Sequence, residues 1–144
     1  MKDPYLLLVE DNPDDELLIR RAIEKVVVRR ELVVAHDGEE GLRLLTSKRL
    51  EQGRLPLFIL LDLKLPKLNG IEVLRRIRSE EQTRLVPVVM FSSSSEEKEI
   101  QECYRSGANS YVRKPGDFAR FNESLQLICG YWLGANENPY PLGS

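Results

Sequence analysis

Histidine occurs once in this chain, at His36, and cysteine twice, at Cys103 and Cys129. The cysteines have no C-x-x-C spacing and no cluster of histidines beside them, which excludes the usual zinc sites and redox dithiols; both are expected to be buried free thiols. Long hydrophobic runs are also missing. No window approaches the roughly 20 apolar residues of a membrane span. The start Met1-Lys2-Asp3-Pro4-Tyr5 lacks a signal-peptide apolar core, so the expected location is the cytoplasm, with no membrane partner. Neither acids nor bases predominate: 21 Lys and Arg face 23 Asp and Glu, a net charge of -2, and without a basic excess nucleic acid is not an expected partner. The 144 residues suit one domain, expected over 1–134 with a polar, proline-containing tail over 135–144. They leave no room for a second catalytic or DNA-binding domain.

What the chain does have is four short apolar runs that each end near a polar group. Leu6-Leu7-Leu8-Val9 runs into Glu10-Asp11, and Phe58-Ile59-Leu60-Leu61 into Asp62. Val88-Val89-Met90-Phe91 stops at Ser92, and Tyr111-Val112 stops two residues short of Lys114-Pro115. Continuous apolar runs separated by helix-like segments read as strands buried on both faces, the pattern of a parallel sheet in an alternating β/α chain. Ligands of such sheets bind beyond the carboxyl ends of the strands, so these polar residues are expected to converge.

Strands are expected over residues 5–9, 32–35, 57–61, 86–91 and 110–113. Asn12 before Pro13 is a good start for the first helix, whose stripe is Leu18, Ile19, Ala22, Ile23 and Val26. His36-Asp37-Gly38 turns into a second helix through Leu42, Leu45 and Arg49, ending at Gln52-Gly53. Residues 62–70 form a loop with Pro66 and Asn69-Gly70, and a third helix follows with Ile71, Leu74 and Ile77. Ser95 is expected to cap the fourth helix. The fifth carries Phe118, Phe121, Leu125, Ile128 and Trp132 as its core stripe, leaving Leu127, Tyr131 and Leu133 for another surface. Five β-α units with right-handed crossovers give a doubly wound parallel sheet between two helical layers, in the flavodoxin-like order 2-1-3-4-5. That order sets the first and third strands side by side, bringing Glu10, Asp11 and Asp62 together.

Carboxylates within about 4–6 Å raise one another's pKa unless positive charge offsets them. Magnesium, which takes one or two protein carboxylates and completes its octahedron with water and phosphate oxygens, is the natural cation for such a site. Lys114 supplies a second positive charge. Asp62, at a strand tip, is placed to attack phosphorus and form an acyl phosphate. Lys114 and the Ser92 hydroxyl can stabilise the transferred group.

In order and spacing, these motifs resemble the receiver domain of a two-component response regulator of the chemotaxis-regulator type. The matching residues are Leu8-Val9-Glu10-Asp11-Asn12, Leu61-Asp62-Leu63-Lys64-Leu65-Pro66 with Asn69-Gly70, Phe91-Ser92-Ser93, and Gly107 through Lys114-Pro115. More narrowly, Glu10-Asp11-Asn12-Pro13-Asp14-Asp15 and the Tyr131-Trp132-Leu133 ending resemble the small regulators that serve bacterial and cyanobacterial phytochromes. The resemblance implies that Asp62 accepts phosphate from a sensor histidine kinase. It implies magnesium held by Asp11 and Asp62, by Glu10 directly or through water, and by the backbone carbonyl of Lys64. It also implies a coupled switch of Ser92 and Tyr111, a cis Lys114–Pro115 bond, and self-catalysed chemistry only, with no other enzyme activity. With no output domain expected, the message would leave by protein contact with an unknown downstream protein, and a homodimer through helix 4, strand 5, helix 5 and the chain end is expected. The alternatives are a phosphorelay intermediate that passes its phosphate to a histidine phosphotransfer protein, or an aspartyl-nucleophile phosphatase. The latter wants an acid two residues after its nucleophile, where Lys64 stands.

Overall fold

Each apolar run becomes a strand, and each amphipathic segment after it a helix that returns the chain to the sheet's starting edge. The computed structural model describes residues 5–26, 31–46 and 54–140. The elements are β1 (Tyr5–Val9), α1 (Pro13–Val26), β2 (Glu31–Ala35), α2 (Gly38–Leu45), β3 (Pro56–Leu61) and α3 (Gly70–Ser79), then β4 (Val88–Ser92), α4 (Glu97–Arg105), β5 (Ser110–Arg113) and α5 (Phe118–Gly130), with a π-helical turn at Tyr131–Ala135. All strand pairs are parallel, in the order β2-β1-β3-β4-β5. The expected end of the second helix, at Gln52-Gly53, lies outside the described residues, as does the side chain of Val26.

Strands β1, β3 and β4 are buried along their whole length, and alternation of side chains divides the core in two. Leu7, Val9, Ile59, Leu61, Val88 and Met90 pack with Leu45, Val73, Leu74, Ile77 and Cys103 under α2, α3 and α4. On the other face Leu6, Leu8, Phe58, Leu60, Val89 and Phe91 pack with Ile19, Ala22, Ile23, Phe121, Leu125 and Ile128 of α1 and α5. Val9 stands opposite Leu61, so the residues that follow them leave the sheet from adjacent positions.

Local chemistry sets the helix starts. The Asn12 side chain accepts from the N–H groups of Asp14 and Asp15 at 2.9 and 3.1 Å, and Asn69 does the same for Glu72, each satisfying donors that a helix leaves open. At α4 the expected cap, Ser95, is not used. Glu96 sits at the cap without a side-chain bond. Ser94 serves the turn instead, its hydroxyl accepting from the Glu96 N–H at 3.3 Å while donating to Glu99.

Three expectations for the chain end change. Leu133, expected on a second surface, is only partly exposed and packs with Trp132 against the α1/α5 side of the core, because the turn at Tyr131–Ala135 brings it back over that side. Phe118 does not join the core stripe: it is 65% exposed, because it opens α5 beyond the sheet and lines a groove with Leu18, Arg21 and Asn122. Phe121, Leu125 and Ile128 are buried as expected. The tail, read as simply polar, makes specific bonds: Asn138 donates to the Leu57 carbonyl at 3.0 Å, and the Tyr140 hydroxyl accepts from the Leu85 N–H at 3.0 Å.

Candidate functional site

Backbone pairing continues one residue past the strands and places the acids. The Glu10 N–H donates to the Ala35 carbonyl at 2.9 Å, and the Asp62 N–H to the Val9 carbonyl at 3.1 Å. Past β5, the Lys114 N–H donates to the Ser92 carbonyl at 2.8 Å. Beneath Asp62, the start of α3 presses so close that a Cβ on Gly70 would lie 2.3 Å from the Asp62 carbonyl oxygen. Only glycine fits there.

The Lys114 ammonium donates to Glu10 Oε1 at 2.6 Å, to Asp15 Oδ2 at 2.9 Å and to Asp62 Oδ2 at 3.1 Å. It reaches them with no cis bond: among the described residues every peptide is trans, which corrects the expectation for Lys114–Pro115. The trans link suffices because the strand already delivers Lys114 beside Ser92. Glu10, Asp11 and Asp62 each offer a carboxylate oxygen, all within 4.8 Å of one another. Glu10 and Asp62 are buried and Asp11 is exposed.

The charges are unbalanced. One ammonium pairs with the carboxylates of Glu10, Asp15 and Asp62, and Asp11 adds a further carboxylate beside Glu10 and Asp62. Burial, and then the Asp62 charge, push the Glu10 carboxyl up from its ordinary 4.5 to about 7, although Lys114 pulls the other way. Burial pulls Lys114 down, but Asp62, Glu10 and Asp15 outweigh it and hold the lysine above its usual range. Clustered hard oxygens with surplus negative charge suit a divalent cation of the magnesium or manganese kind. The donor set fits.

Ser92 is fully buried at the next strand end. Its hydroxyl accepts from the Ser94 N–H at 3.4 Å, and the half-buried Tyr111 donates its phenol O–H to the Ser94 carbonyl at 2.7 Å. The two expected switch residues therefore meet through Ser94. Lys64 turns outward: its ammonium pairs with Glu99 of α4, which also accepts from the Ser94 hydroxyl. A cleft of about 420 Å³ opens beside this pair, lined by Asp11, Lys64, Pro66, Asn69 and Glu99 among others. The loop beneath holds Lys67 at a φ of 68°, a left-handed conformation that is strained for a side-chain-bearing residue.

Asp15 is the site residue that sequence reasoning passed over. The available signal was its position in the first turn of the helix that follows Glu10-Asp11, close in the chain to the acids at the strand end. His36 is a turn-lining residue, its ring at 2.8 Å from Glu16 and its N–H donating to Glu40. Cys103 and Cys129 are free and buried.

Residues 6–126 match the response regulator receiver domain. The chain belongs to that family. It is 38% identical over 144 residues to the probable methanogenesis regulatory protein FilR2 of Methanothrix harundinacea, covering 97% of this chain and 91% of that one. A crystal structure of the phosphorylated cyanobacterial phytochrome response regulator RcpA superposes with a TM-score of 0.89 at 33% identity, covering 96% of this chain and all of that one. The Mn(2+)-bound form of response regulator Rcp1 superposes with a TM-score of 0.86 at 29% identity, covering 95% and 99%; the Rcp1 sequence from Synechocystis sp. is 31% identical over 129 residues. Receiver domains of this kind are signalling proteins, and the fold and acidic cluster seen here are theirs. Among the described residues no helix is long and apolar enough to cross a membrane.

Proposed function

We propose that this receiver protein accepts, in the cytoplasm, a phosphoryl group on Asp62 from a sensor histidine kinase and signals through a changed protein surface. The observation behind the reading is the contact of the buried Lys114 ammonium with Glu10, Asp15 and Asp62 beside the Glu10–Asp11–Asp62 cluster. Glu10, Asp11, Asp62 and the Lys64 backbone carbonyl are the groups that would hold Mg2+, whose charge when bound offsets that of the carboxylates and of the phosphoryl oxygens. An Asp62 oxygen bonds to phosphorus as the donor's phosphorus–nitrogen bond breaks. Lys114, whose donor to Asp62 is the longest of its three at 3.1 Å, can pass that donor to an incoming phosphoryl oxygen, a charge already in place before transfer. The Ser92 hydroxyl turns to a phosphoryl oxygen and leaves Ser94. Ser94, released at its N–H, shifts and carries with it Tyr111, which is bonded to its carbonyl, and the change reaches the surface of α4 and β5.

The surface that fits as output is α4, β5 and α5 with the π-helical turn, where Tyr104, Leu127 and Tyr131 are 49%, 70% and 52% exposed. The tail residues that fold back bond at Leu57 and Leu85, and with these bonds made Leu127 and Tyr131 stay exposed. A two-fold pair of copies buries it. Sedimentation of the wild type against Leu127→Asp and Tyr131→Asp, with and without an acyl phosphate, reads this out; a monomer in every state excludes the pair. The likeness to RcpA and Rcp1 favours a phytochrome-linked kinase as donor. Transfer of labelled phosphate from such a kinase to the wild type, and none to Asp62→Asn, is the expected result; equal transfer to both overturns the assignment.

A further inference from the structure

We infer that Asp15 is a positioning residue for Lys114, holding the lysine when Glu10 and Asp62 are engaged elsewhere. The inference rests on the phosphoacceptor reading and adds a residue that reading does not require. An ammonium has three N–H donors, and here each has one carboxylate: Glu10, Asp15 and Asp62 at 2.6, 2.9 and 3.1 Å. Two of the three acceptors, Glu10 and Asp62, also belong to the cluster that could hold a cation. Asp15 does not.

This division has consequences for each state of the site. With a divalent cation in the cluster, Glu10 and Asp62 share their charge with it, and the cation repels the ammonium. With Asp62 phosphorylated, its oxygen is tied to phosphorus and accepts less well. Asp15 alone keeps a full carboxylate on the lysine throughout. Its backbone is fixed at the start of α1, where its N–H donates to the Asn12 side chain at 3.1 Å. Its side chain is 25% exposed against 8% for Lys114, so it meets the ammonium from the solvent side while the other acids approach from within. Lys114 lies 5.9 Å from the Phe91 ring centroid, a face that attracts the charge but has no lone pair to replace a carboxylate. Without Asp15, the lysine in a cation-loaded site has a donor free to turn toward water.

The test uses Asp15→Ala and the milder Asp15→Asn, each alone and with Lys114→Met. The first readout is labelling of Asp62 by acetyl phosphate with saturating Mg2+, in which an Asp62 oxygen bonds to phosphorus and acetate leaves. Asp15→Ala is expected to lower the maximal rate about tenfold, the worth of one charge-assisted hydrogen bond. Asp15→Asn, which keeps an oxygen but no charge, should fall between. In the Lys114→Met background Asp15→Ala should change the rate by less than about twofold, since the coupled partner is gone. The second readout is independent of turnover: acetylation of Lys114 by acetic anhydride at alkaline pH, followed by mass spectrometry. Asp15→Ala should speed it about tenfold with Mg2+ present and less than about threefold without, because Glu10 and Asp62 hold the lysine when no cation competes. Equal slowing in both Lys114 backgrounds, or the same acetylation change with and without Mg2+, overturns the inference. Wild type that labels while Asp15→Ala labels at the same rate also overturns it. A wild type that takes no label at all instead removes the phosphoacceptor reading beneath it.

Discussion

Replacing Lys114 with methionine keeps much of the side chain's reach and removes its charge. The wild-type ammonium sits 2.6 Å from Glu10, with the two side chains only 8% and 1% exposed. Removing one member of a buried ion pair typically costs about 3–5 kcal/mol, because the other charge is left uncompensated. Glu10 can relieve this by taking a proton. Burial and Asp62 already raise its pKa from 4.5 to about 7, and loss of the lysine, which holds it down, raises it further. An acid whose folded pKa lies above its unfolded value binds more protons folded than unfolded, so stability falls as pH rises through that window. For the wild type the window runs from 4.5 to about 7; for the variant it extends upward. The lysine's own pKa is raised, so its contribution is fully present below the unfolded lysine value and constant over the physiological range. The difference between the two proteins between pH 5.5 and 8.5 therefore reports Glu10. We expect a deficit of about 3 kcal/mol at pH 8.5 shrinking to about 1 kcal/mol at pH 5.5, measured by urea unfolding. Mg2+ should stabilise the variant at least as much as the wild type, since a cation in the cluster replaces the missing charge. A deficit independent of pH would refute the reasoning.

Asp11→Ala should weaken Mg2+ binding at least about tenfold by calorimetry, through loss of a ligand, while leaving the thermal midpoint of the metal-free protein nearly unchanged because Asp11 is exposed; a large fall in the midpoint would contradict this. The Arg78 guanidinium donates to the carbonyls of Gly107, Arg84 and Val86 and to Asn109 Oδ1, at 2.7–3.0 Å, tying the end of α3 to the loops before β4 and β5. Arg78→Ala should cost about 2–4 kcal/mol in urea unfolding and Arg78→Lys nearly as much, since an ammonium cannot span that fork. Burial pushes both thiols, Cys103 and Cys129, up to about 11; iodoacetamide at pH 8 should modify neither in the folded protein and both in denaturant. Rapid labelling of the native protein would refute that burial.

The strands were legible because β1, β3 and β4 are buried on both faces and so are written as unbroken apolar runs, and the sheet order then follows from handedness. The convergence of Glu10, Asp11, Asp62 and Lys114 is a consequence of that order and could be read from it. Asp15 was not legible in the same way: an acid in the first turn of a helix is already explained by the helix dipole, and only the lysine's reach from a strand 99 positions away gives it a second role. The pairing of Lys64 with Glu99 likewise depends on where α4 settles against a loop far from it in sequence. Phe118 fits the spacing of the apolar stripe, but spacing does not say where the sheet ends beneath a helix. Ser94 and Ser95 are adjacent and chemically identical, and only the turn geometry chooses Ser94.

The central claim is that Asp62 is the one phosphoacceptor. Incubating the protein with acetyl phosphate and Mg2+ and taking its intact mass before and after hydroxylamine tests it directly. The account predicts a single phosphoryl adduct that requires Mg2+, is removed by hydroxylamine as an acyl phosphate must be, and is absent from Asp62→Asn. An adduct of equal extent on Asp62→Asn, or one that survives hydroxylamine, would contradict it.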